Sequence, residues 1–148
     1  MREDRSLVIA AAHSSSAGPR VRRYRCTAVA RSLADPAGRW DLGGTHTTTP
    51  RLAVRWLRDR ALLIAHALDP LPGAPGPLPP QCLREVHGHG PNPGAVMRAW
   101  LRDEPLREDA LARLRTGLPV QVSAADDTVR YVLTAEPAGD PARAPEWR

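Results

Sequence analysis

Cys82, His87 and His89 fall within eight residues of one another, and a thiolate with two imidazoles is a legitimate zinc set. A fourth donor is needed, and Cys26 or His46 could supply it from the other half of the chain. Gly88, Gly90 and Pro91 surround the histidines, so a plain surface loop explains the same stretch. Nucleophilic chemistry would need a base beside the nucleophile and a third group to orient it. Ser14, Ser15 and Ser16 adjoin His13, but their Ser/Gly/Pro surroundings offer no rigid scaffold. Paired carboxylates stand at Asp103 and Glu104, Glu108 and Asp109, and Asp126 and Asp127, each accounted for by helix N-terminal charge or turn chemistry. Neither standard glycine-rich phosphate loop is present. The expectation is a non-catalytic protein without a cofactor, with a zinc-binding domain or enzyme using Cys82, His87 and His89 as the alternative.

The arginines are the other candidate. Formal net charge is +5 and every basic side chain other than histidine is Arg. The pI near 10.5 favours polyanionic partners. Codon bias of a GC-rich genome explains the preference for Arg, Ala, Pro and Gly equally well. Arg20, Arg22, Arg23 and Arg25 enter the first strand, and Arg51, Arg55 and Arg58 mark one side of a helix. If those two faces adjoin, Arg22, Arg23, Arg25, Arg51, Arg55 and Arg58 make a patch that tracks phosphates or meets a partner.

These side chains must be positioned by a modest core. At 148 residues the chain has single-domain size, but 16 Pro and 11 Gly commit several stretches to loop. Residues 1–19 read as a flexible segment, with Leu7 to Ala10 as a weak edge strand. Two cysteines, no signal-like start and no apolar run long enough to span a bilayer predict a cytoplasmic protein with reduced thiols.

Val21 to Arg31 alternates at period two, with Tyr24, Cys26, Ala28 and Ala30 on the core side. Asp35, Pro36, Ala37 and Gly38 signal a turn into a return strand, Arg39 to Leu42, with Trp40 and Leu42 inward. Gly43 and Gly44 are expected to break it before a third short strand over Thr45 to Thr48. Thr49 and Pro50 start a long helix, the first as hydroxyl N-cap and the second at the position where a missing N–H is harmless. Its broad apolar stripe includes Leu52, Val54, Trp56, Leu57, Ala61 and Ile64, and it ends near Leu68.

Residues 69–80 carry prolines at 70, 72, 75, 77, 79 and 80 and read as an internal linker. Beyond a short apolar piece, Cys82 to Val86, a helical pair follows: Ala95 to Trp100, then a helix opened by Pro105 and stopped by Gly117. Residues 95–116 also admit a helix-turn-helix reading, weakened by the acidic start of the second helix. Val120 to Ala124 and Thr128 to Glu136 form a closing hairpin around Asp126 and Asp127. Residues 137–148 read as a disordered tail. The fold class is α+β, a small antiparallel sheet packed by a long amphipathic helix, then a helical pair and a C-terminal β-hairpin, all within residues 20–136.

The run YRCTAVAR, a turn, the aromatic strand GRWDL, the segment GTHTTT and the helix RLAVRWLRDRALLIAHAL, spanning Tyr24 to Leu68, resemble the HicB-like antitoxin family. That resemblance implies a degenerate RNase H-like ββαβ-type module without nuclease residues. It also implies a role in masking a partner toxin, often with a DNA-binding appendage. Gly43 and Gly44 stand where the family commonly has a proline-glycine pair, and the proline-rich segment intervenes before any fourth strand. The leading expectation is a binding or regulatory protein that occupies a protein partner or nucleic acid, with Trp40 and Trp56 as core anchors. A structural or assembly protein that self-associates is the third reading.

Overall fold

The computed structural model describes residues 22–76, 78–83 and 88–139. The expectations for residues 1–19, for Arg20 and Val21, for Arg84 to Val86 of the short apolar piece, for His87 and for residues 140–148 lie outside them.

Two hairpins join edge to edge into one four-stranded antiparallel sheet. Strand β1 (Arg23–Ser32) pairs with β2 (Arg39–Thr47), and β3 (Val120–Ala125) pairs with β4 (Val129–Ala138). β1 also pairs with β4 along its whole length, from Arg23 opposite Ala138 to Ser32 opposite Val129, so the sheet order is β2-β1-β4-β3. Three helices, α1 (Pro50–Leu68), α2 (Pro93–Arg102) and α3 (Glu104–Arg115), connect the hairpins. All three pack on one face of the sheet.

The alternation in β1 sends Tyr24, Cys26 and Ala28 into the core. There they meet Ala53, Val54, Leu57 and Ala61 of α1, Met97 of α2, Leu114 of α3 and Leu133 of β4. The chain therefore has one core shared by both halves. α1 begins and ends where its sequence signals place it: Thr49 Oγ1 accepts from Leu52 N, Pro50 opens the helix, and Asp69 N caps the end on Ala65 O. Residues 69–80 form no α-helix or strand among those described; a single 3-10 turn, Pro80–Cys82, ends the segment.

Three expectations are corrected. Thr45 to Thr48 is not a separate third strand: β2 runs unbroken from Arg39 to Thr47. Gly43 instead forms a bulge, with φ +119° and a register shift opposite Ala28 and Val29. That positive φ is what favours glycine here, and a Cβ would also stand 3.2 Å from the Arg60 guanidinium of α1. Trp40 is not a core anchor. It is 52% exposed, because β2 is the sheet's edge and no strand among the described residues stands beyond it. Trp56 is half-buried at the core's margin and stacks under Arg60, whose guanidinium carbon lies 5.4 Å from the ring centre. The tail begins later than residue 137, because Pro137 and Ala138 still pair with Tyr24 and Arg23.

Helices α2 and α3 do not have helix-turn-helix spacing. Asp103 alone separates them, its N–H bonded to Ala99 O at 3.1 Å while its carboxylate caps α3 on Leu106 N at 3.1 Å. Helix α2 is clamped to the end of α1. Arg98 donates to Asp69 Oδ2 at 2.7 Å, to Ala65 O at 3.3 Å and to Asp69 O, and a Cβ on Gly94 would stand 2.8 Å from the Asp69 Cβ. Asp69, where the proline-rich segment begins, is thus held against α2.

Candidate functional site

The candidate zinc donors are not assembled. Cys82 and His89 are both exposed, and His87 lies outside the described residues. Cys26 and His46 leave neighbouring strands on opposite sides. Cys26 points into the core, whereas His46 shares the outer face with its cross-strand partner Arg25. Burial pushes the Cys26 thiol up to about 11, against a smaller opposing effect of its hydrogen bond with Thr47. Among the described residues, no three His, Cys, Asp or Glu side chains group closely enough to hold a metal ion.

The six singled-out arginines divide between the two layers. Arg23 and Arg25 leave β1 on the face without helices, where Arg25 Nε donates to Glu136 Oε1 at 2.9 Å. Arg22 points the other way and donates to Arg115 O at 3.3 Å, capping the C-terminal end of α3. Arg51, Arg55 and Arg58 are exposed on the outer side of α1, in the helical layer. The strand and helix groups do not form one patch.

A surface that sequence reasoning missed runs along β3. The Asp126 N–H bonds Val129 O, and hydrogen-bonded pairs alternate from there, so Val120, Val122 and Ala124 exchange bonds with β4. Gln121, Ser123 and Ala125 then point their N–H and C=O groups away from the sheet. Beside this open edge lies a groove of about 820 Å³ between β3 and helices α2 and α3. Its walls carry Val96 and Leu106, 48% and 50% exposed, with Trp100 and Ala110 deeper. Asp109 and Arg113 also line it, and Arg113 Nε donates to Pro119 O at 3.3 Å. The signal was present, as apolar residues on the outer flank of the helical pair, but which strand they would stand beside is decided by topology.

Neither a protein-family model, nor a curated protein, nor a solved structure matches this chain. Among the described residues, no helix is long and apolar enough to cross a membrane.

Proposed function

We propose that this protein is a non-catalytic binding protein that holds an extended segment of a protein partner against the β3 edge. The observation that carries this reading is a strand edge, unpaired among the described residues, beside an apolar groove. An extended peptide added to such an edge gains main-chain hydrogen bonds, while alternate side chains fill the adjoining pocket. Val96, Trp100 and Leu106 suit apolar side chains at every second position, and Asp109 suits a basic residue at the groove's mouth. The HicB-like resemblance points the same way, since masking a toxin requires only a complementary surface and no catalytic group.

A displayed library of 12-residue peptides tests the reading. The expected result is enrichment of peptides with alternating apolar residues. Their binding should fall at least tenfold in Ser123→Pro, which removes an outward N–H while leaving the β4 ladder intact, and in Leu106→Glu, which charges the groove wall. No enriched pattern, or binding that survives both substitutions, would overturn it. Enrichment of peptides matching this chain's own sequence would reassign the edge to self-association.

A further inference from the structure

The register of the sheet brings together three arginines that the linear sequence keeps apart. Arg31 of β1 stands directly opposite Arg39 of β2 on one side and opposite Arg130 of β4 on the other. Directly opposed residues share a face, so the three side chains form a single row across three adjacent strands, on the side away from the helices. Neighbouring strands lie about 4.8 Å apart, which puts roughly 10 Å between the outer two positions. All three are exposed, and among the described residues none has a carboxylate within ion-pair distance.

Three acidic side chains of the adjoining segments accept backbone hydrogen bonds, and Asp127 is exposed in the β3–β4 turn. Asp35 accepts from Ala37 N at 2.9 Å, Asp41 from Gly43 N at 2.9 Å, and Asp126 from Thr128 N and Val129 N at 2.7 Å each. Like charges directly opposite one another destabilise a sheet. A row of three is thus an unfavourable arrangement for folding alone, and it becomes favourable when an anion lies across it.

We propose that the helix-free face of the sheet binds the phosphate backbone of nucleic acid, seated on the row Arg39, Arg31 and Arg130. The inference is independent of the β3 groove, which lies at the opposite edge of the sheet from Arg39. Among the described residues no element covers this face, and so it fits a polymer that continues past it. Along β1 the row is followed by Val29 and Thr27, flanked by Val132 and Thr134 of β4 and by Asp41 of β2 opposite Val29, and then by Arg25 about 20 Å away and Arg23 about 27 Å away. Arg25 is already paired with Glu136. None of the residues in or next to the row is aromatic, so bases find no stacking platform there, and binding to the row is independent of sequence. Guanidinium groups are the side chains best matched to phosphate oxygens.

The test is fluorescence anisotropy of the intact protein with a labelled 20-nucleotide single strand and a 20-base-pair duplex, at 50 and 200 mM salt. Three phosphate contacts predict a loss of affinity of roughly 20- to 40-fold between those salt concentrations. The triple variant Arg31→Ala, Arg39→Ala, Arg130→Ala should lose at least tenfold in affinity at 50 mM and flatten the salt dependence. Arg51→Ala, Arg55→Ala, Arg58→Ala removes the same charge from the helical layer and should bind within about threefold of wild type. The melting temperature of the sheet-face variant should be unchanged or raised, because the repulsion is relieved. Absence of binding at 50 mM salt, equal losses in both triple variants, or a collapse in the melting temperature of the first would each overturn the proposal.

Discussion

Cys26 and Cys82 show how much a side chain's chemistry depends on where it sits. Burial raises the Cys26 thiol to about 11, so its neutral form is favoured in the folded protein relative to an ordinary thiol near 9. The folded state therefore holds that proton where the unfolded state has lost it. The stability this contributes is fully present below pH 9 and is lost as pH rises from 9 through about 11. A urea-unfolding series across that range should show stability falling, and Cys26→Ala should lessen the fall. A thiol reagent at neutral pH should label Cys82 in the native protein and Cys26 only after unfolding. Rapid double labelling under native conditions would contradict the burial.

The turns and the edge strand each rest on one position. Asp126 accepts hydrogen bonds from the backbone N–H of Thr128 and Val129 and from the Thr128 hydroxyl, which hold its carboxyl below the ordinary range. Its contribution is present above pH 4 and disappears as pH falls through the folded-state value. Asp126→Ala should lower stability at pH 7 and reduce the loss between pH 4 and pH 2, read from thermal melts at each pH. In β2 the bulge at Gly43 needs a left-handed backbone that an L side chain resists. Gly43→Ala should destabilise by about 1–2 kcal/mol from backbone strain, and more if Arg60 is forced off Trp56. Urea melts measure the loss, and an unchanged midpoint would show that the bulge relaxes. Both turn sites were visible as short polar or glycine motifs. That Gly43 continues a strand where an interruption was expected depends on β1, which supplies partners on either side of it.

At the scale of the whole molecule, one core spans the proline-rich segment. β4 from the C-terminal hairpin lies against β1 from the N-terminal one, and α1 packs on both. Unfolding in urea should therefore be a single transition, with far-UV circular dichroism and tryptophan fluorescence coinciding. Leu57 and Leu133 are both fully buried, one from each half. Leu57→Ala and Leu133→Ala should each cost about 2–5 kcal/mol and shift the same single transition. Two separable transitions, with each substitution moving only one, would mean that the halves fold apart.

The sequence by itself determined the local elements. Period-two alternation in Tyr24 to Ala30, the Thr49 and Pro50 helix start, the density of prolines between 70 and 80, and the Asp126 turn all act through neighbours a few residues away. They were accordingly legible without the fold. Alternation says that a strand has a core side, but it does not say which strand lies beside it. Tertiary structure alone decided that β1 lies between β2 and β4. That one choice leaves Trp40 on an exposed edge, opens the β3 groove, and sends Arg25 and the Arg51, Arg55 and Arg58 stripe to different layers. It also lines up Arg31, Arg39 and Arg130, whose register is set by pairing across 8 residues in one direction and 99 in the other. The 8-residue pairing follows from the hairpin turn, but the 99-residue one is fixed by how the hairpins pack, and no local pattern encodes it.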